Sequence, residues 1–214
     1  YLDKLYNQQK SQVQKLSYDH TVKVLGGSIS IVFYDVTTVY FEAEIEDDLR
    51  KTGFSKDGKH QHPQIVLGLL VSKDGYPLAY DIFEGNQFEG HTMLPIIDAF
   101  KKQYKLSDLV IVADAGLLSN ENIALLLQGG YEYIIGARIK NESKEIKNQI
   151  LGLKLKNSES VQMKKDEHNN LIISYSKTRA KKDAHNRERG LAKLNKHIKS
   201  GKLTKANINN RGYN

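Results

Sequence analysis

The 214-residue chain has no cysteine and no tryptophan, and only three prolines and two methionines. Without thiols it can build neither a disulfide framework nor a thiolate metal centre, a composition that suits a reducing cytoplasm. No apolar run approaches the ~20 residues needed to span a bilayer, and no charged-then-apolar leader precedes a small-residue cleavage site. A hydrophobic content of 39% is enough for one domain of ordinary size, or one domain and part of a second. The chain opens on Tyr1 and stops at Arg211-Gly212-Tyr213-Asn214 without a helix cap, so it reads as an internal piece of a longer protein.

What the chain does have is segregated charge. Residues 1–140 hold 14 Lys+Arg against 18 Asp+Glu, a net of −4, and residues 141–214 hold 18 against 7, a net of +11. A basic segment beside a mildly acidic one points to a polyanion partner, nucleic acid first, since no membrane-inserting face accompanies it. The plainer alternative is a solvated basic helix in a lysine-rich protein.

Hydrophobic periodicity divides the chain further. Residues 1–27 read as a connecting helix closed by Gly26-Gly27. The β-branched and aromatic run Ile29 to Thr38 is a buried strand that carries a single carboxylate, Asp35. The acidic patch from Glu42 to Asp48 and the loop holding His60 and His62 read as exposed, with no spacing that selects a metal site. Gln64–Val71 and Tyr76–Phe83 flank a turn with Asp74-Gly75, a hairpin signal. In the second of these strands Asp81 and Phe83 share one face, so one of the two must be misfitted.

Met93, Leu94, Ile96, Ile97, Phe100 and Tyr104 recur at helical spacing. Asp108–Ala113 is a fourth strand that ends in Asp114. A helix capped by Ser119 follows, and then a fifth strand, Tyr131–Ala137. The order β-β-β-α-β-α-β, with helices available for both faces, predicts an α/β domain over residues 28–140 with a mixed five-stranded sheet of ribonuclease H-like topology. Residues 141–214 read as a basic insertion. It begins with a hairpin over 154–176 and continues as a basic helix over 177–200 with a thin stripe of Ala180, Ala184, Leu191, Leu194 and Ile198.

In that topology the first and fourth strands are neighbours, so Asp35 and Asp114 meet although 79 positions separate them. Two carboxylates that close repel unless a cation bridges them, and hard oxygen donors select Mg²⁺ or Mn²⁺. A two-metal site of this kind activates a water or a 3′-hydroxyl and stabilises the leaving oxygen of an in-line phosphoryl transfer. Lys177, Arg179, Lys181, Lys182, Arg187, Arg189, Lys193 and Lys196 are the candidate phosphate contacts, within a basic region drawn to residue 205.

Four segments carry a resemblance. They are Phe33 to Glu42, Gly85-Asn86 through Glu89-Gly90-His91-Thr92, Val112-Ala113-Asp114-Ala115-Gly116, and Ser174 through Glu188. Together they resemble the transposases of IS4-type insertion sequences, specifically the IS1634 (IS1549-like) group, through nearly the whole chain. The resemblance implies that Asp35 and Asp114 are the first and second acids of an Asp-Asp-Glu triad. It implies a protein that cuts and rejoins DNA at terminal inverted repeats and joins them to a target, as a dimer on paired ends in a bacterial nucleoid. The third acid of the family is a Glu on a Tyr-Arg-Glu-Lys helix beyond a β-rich insertion, and the expectation is that this chain stops before it. Tyr175, Arg179, Asp183 and Glu188 imitate that signature at the wrong intervals and read as insertion helix. A catalytically inactive DNA-binding remnant is the alternative. His91 is a possible substrate contact, or a helix-start histidine capping its own backbone.

Overall fold

A computed structural model describes residues 2–4, 9–55 and 58–201. The expectations for residues 1, 5–8 and 202–214, including the end of the basic region, lie outside the described residues. The chain divides into two compact units, Tyr1–Arg138 and Ile139–Asn214.

In the first unit, helices α1 (Leu2–Lys4) and α2 (Lys10–Leu25) precede strands β1 (Ile31–Tyr40), β2 (Gln64–Ser72) and β3 (Pro77–Glu84). Helix α3 (Met93–Tyr104), β4 (Val110–Ala113), α4 (Asn120–Gln128) and β5 (Glu132–Ile135) complete it. The sheet order is β3-β2-β1-β4-β5. The first three strands pair antiparallel, while β1, β4 and β5 run parallel. This is the mixed five-stranded α/β sheet of a ribonuclease H-like fold, as the order of elements predicts.

Alternation along β1 decides which residues enter the core. Val32 and Tyr34 are buried, whereas Phe33, Asp35, Thr37 and Val39 are exposed on the other face. Val32 and Tyr34 join Leu70, Ile111, Met93, Ile97, Phe100, Leu117 and Leu126 in one cluster, with Tyr18 and Val22 of α2 packed against it. Helices α2, α3 and α4 therefore share one face of the sheet. Sequence pattern had made helices available for both faces. Among the described residues of this unit none covers the second, and Phe33, Leu69 and Ile134 stand 40%, 38% and 55% exposed.

One local device holds α2 to the sheet and another holds a loop to it. Asp81 is the misfit of β3: Phe83 packs against the core, while Asp81 accepts from Lys10 Nζ of α2 at 2.7 Å. Gln64 donates through Nε2 to Gly85 O at 2.6 Å and to Phe54 O at 3.3 Å, which knits the loop after β1 to the start of β2 and the end of β3. The acidic patch from Glu42 to Asp48 is exposed, and so are His60 and His62.

The second unit holds α5 (Lys144–Gly152), the hairpin of β6 (Ser160–Lys164) and β7 (Asn170–Ser174), and α6 (Lys177–Lys199). Periodicity did not single out α5, a mostly polar helix with no buried residue that is started by Ser143 accepting from Ile146 N. Ser176 caps α6 in the same way, accepting from Arg179 N at 3.2 Å. No helix among the described residues is long and apolar enough to cross a membrane.

Candidate active site

The parallel register of β1 and β4 pairs Ile31 with Val110 and runs to Tyr34 with Ala113. Asp35 and Asp114 are the next residues of each strand, so the ladder delivers the two carboxylates side by side, with neighbouring strands ~4.8 Å apart. Both side chains are exposed. Each is half committed to its own backbone. Asp35 Oδ1 accepts from Val36 N at 2.8 Å, and Asp114 Oδ1 accepts from Gly116 N at 2.7 Å. Asp114 has an extended backbone (φ −79°, ψ 173°) and opens a 3-10 turn, Ala115–Leu117. Among the described residues the second oxygen of each carboxylate makes no hydrogen bond.

This donor set fits a hard divalent cation: two anionic oxygen groups, no sulfur, and room for water around them. Among the described residues no group of three or more His, Asp or Glu side chains gathers into a ligand cluster. Asp35 and Asp114 are the two carboxylates that the strand register brings together here.

The second loop at the site is the 3-10 turn Glu89–His91, which lies against the turn Ala115–Leu117. The His91 side chain sits 3.8 Å from Glu121 Oε2, and its ring meets that of Phe88 edge-on at 5.3 Å. Phe88 is itself 60% exposed. Buried Thr92 accepts from Tyr34 Oη at 2.7 Å and donates to Glu89 O at 2.7 Å, which sets this turn above the strand that bears Asp35.

Lys177, Arg179, Lys181, Lys182, Arg187, Arg189, Lys193 and Lys196 all lie on α6, and all are exposed. At ~3.6 residues per turn, Lys182, Arg189, Lys193 and Lys196 fall opposite the half-buried Ala180, Ala184, Gly190 and Leu194. Arg179 and Arg187 lie toward that half-buried side, and Arg179 faces Asp183 at 3.4 Å. Leu191 and Ile198, assigned to the apolar stripe by spacing, are 59% and 52% exposed. Glu188 is an exposed residue of the same helix.

Arg138 is a further residue of this loop cluster, which no sequence pattern singles out. Its Nε donates to Ala115 O at 2.8 Å and its Nη2 to Gly116 O at 3.2 Å. The available signal was its place one turn past the last strand, where such a strand returns to the end of its parallel neighbour.

No curated protein sequence matches the chain. Among solved structures it is similar to the catalytic domain of Mos1 mariner transposase, with 11% identity, 62% of this chain and 63% of that chain covered, and a TM-score of 0.33. A Mos1 mariner paired-end complex with Mn matches at 12% identity, 59% and 42% coverage and a TM-score of 0.32. A piggyBac transposase synaptic complex with hairpin DNA matches at 14% identity, 70% and 31% coverage and a TM-score of 0.44. The chain thus spans less than two thirds of the length of each. The family model described as "Transposase DDE domain" matches residues 26–210, which takes in Asp35, Asp114 and the basic helix. By that match, the chain belongs to the transposase DDE domain family.

Proposed function

We propose that this chain performs the catalytic part of DNA transposition for an insertion sequence of the IS4 type, IS1634 (IS1549-like) group, with Asp35 and Asp114 as its first two metal ligands. The observation that supports the proposal is the parallel register of β1 and β4, which puts Asp35, within β1, alongside Asp114, just past the end of β4. A bound Mg²⁺ or Mn²⁺ pair would supply activation of a water or 3′-hydroxyl and charge neutralisation at the leaving oxygen. Asp35 and Asp114 each offer an oxygen to hold it, while their other oxygens, bonded to Val36 N and Gly116 N, keep the carboxylates oriented. The basic side of α6, through Lys182, Arg189, Lys193 and Lys196, binds phosphates of the element's terminal repeats or of the target. His91 reaches the same substrate beside Asp114. The third acid of the triad lies outside the described residues, and the acting species is a homodimer on paired ends.

A second reading, an inactive DNA-binding remnant, is favoured by one observation: no third ligating side chain joins the two carboxylates among the described residues. Mn²⁺ titration of ¹⁵N-labelled protein separates the two. Paramagnetic broadening centred on the Val36 and Gly116 amides, with nicking of a DNA duplex bearing an element end, supports the active form. DNA binding without broadening or nicking establishes the remnant.

A further inference from the structure

At the exit of β5 the backbone folds back across the turn that carries Asp114. Gly136 N donates to Ala113 O at 3.1 Å, extending the β4–β5 ladder by one step. A Cβ at Gly136 would stand 2.8 Å from Ala115 N and 3.2 Å from Ala115 Cβ, so only glycine lets the two segments pass this closely. Two residues later Arg138 turns back onto the same segment. Its side chain is exposed and forms no ion pair among the described residues, yet its guanidinium grips the carbonyls of Ala115 and Gly116.

The Ala115–Gly116 peptide is what gives this grip a consequence. Its C=O accepts from Arg138 Nε at 2.8 Å, and its N–H, on the opposite edge of the same plane, donates to Asp114 Oδ1 at 2.7 Å. Peptide planarity couples the two bonds, since the plane cannot tilt at the carbonyl without swinging the N–H away from the carboxylate. A cationic donor on the carbonyl also polarises the peptide and strengthens the N–H as a donor.

We propose that Arg138 is a positioning residue for Asp114, acting through the Ala115–Gly116 peptide so that Oδ1 stays committed to the turn and Oδ2 is the oxygen presented to a cation. This rests on Asp114 being a metal ligand. Lysine has three donors on one nitrogen but lacks the rigid planar fork that fixes both carbonyls at once.

The test compares Arg138→Met and Arg138→Lys with the wild-type chain, ¹⁵N-labelled and free of metal, and then titrated with Mn²⁺. In Arg138→Met the Gly116 amide resonance moves upfield and its hydrogen exchange accelerates about tenfold, while the amides of β1 and β2 keep their protection. Mn²⁺ affinity, read from broadening at Val36, falls about tenfold, and Arg138→Lys restores it only in part. A Gly116 amide that keeps its wild-type shift and exchange rate in both variants overturns the proposal. Should Arg138→Met fail to fold, Arg138→Lys alone decides on that same amide. If wild-type protein binds no Mn²⁺, the ligand role of Asp114 falls, while the metal-free Gly116 comparison still decides whether Arg138 positions the carboxylate.

Discussion

The Tyr34 hydroxyl donates to Thr92 Oγ1 at 2.7 Å inside the core, one residue from Asp35. This bond ties β1 to the start of α3. Gly68 makes it possible: a Cβ there would overlap the Tyr34 hydroxyl and lie 2.7 Å from Ile96 Cδ1. Tyr34→Phe leaves the Thr92 hydroxyl without its donor and should cost about 1–2 kcal/mol. Gly68→Ala overpacks the same point and should cost about 1–3 kcal/mol. Urea unfolding followed by circular dichroism measures both, and wild-type midpoints would refute the packing role assigned to this pair.

Burial, with further contributions from the Asp35, Asp81 and Glu89 charges, pushes the Tyr34 hydroxyl up to about 12 despite its bond to Thr92. An unfolded tyrosine ionises near ~10. Its stabilising contribution is therefore complete below pH ~10 and is lost as pH rises toward 12, because the unfolded chain releases the proton first. Tyr34→Phe should make the alkaline fall of stability shallower. An unchanged slope between those pH values would contradict this.

The opposite sign applies in the loop after β1. Backbone and guanidinium N–H groups of Arg50, with the Leu49 N–H, hold the Asp47 carboxyl down at about 2. Ordering of this loop should persist above the usual aspartate range and fade as pH falls from ~4 through 2. The Arg50 amide exchange rate reports it, and Asp47→Asn should be insensitive over the same range.

Asp35→Asn and Asp114→Asn each keep an oxygen for Val36 N or Gly116 N but lose the anionic charge. The expected result is folded protein with Mn²⁺ affinity lowered at least tenfold in each variant. Isothermal titration reads this directly, and full affinity in either variant would remove that residue from the site.

Replacing Lys193 and Lys196 with glutamine should weaken DNA binding equally for all sequences. It should also reduce the slope of log K against log salt by about two, close to one per phosphate contact. Arg179→Gln, on the half-buried side beside Asp183, should change the slope less. Fluorescence anisotropy across a salt series distinguishes them.

The strands and helices of the first unit were legible because their signals are local. The β-branched and aromatic run Ile29 to Thr38, the Asp74-Gly75 turn and the Ser119 cap each act within a few residues. Helix α5 was not legible, since a polar helix with no buried side chain leaves no apolar period to detect. Arg138 escaped for a different reason. An exposed arginine after a strand looks like any surface charge until the carbonyls it grips are known.

By itself, then, the sequence determined the order of elements in the first unit, an aspartate on the first strand and another after the fourth, and the separation of charge, because these depend on side-chain chemistry over short spans. Tertiary structure decided the rest. The strand order brings Asp114 beside Asp35, and the shared core of α2, α3 and α4 buries Tyr34 while turning Asp35 to the open face. The orientation of each carboxylate depends on hydrogen bonds to Val36 and Gly116. Those bonds are local, one and two residues apart, but only the parallel register puts the two carboxylates alongside each other, and no local periodicity encodes a strand pairing across 79 positions.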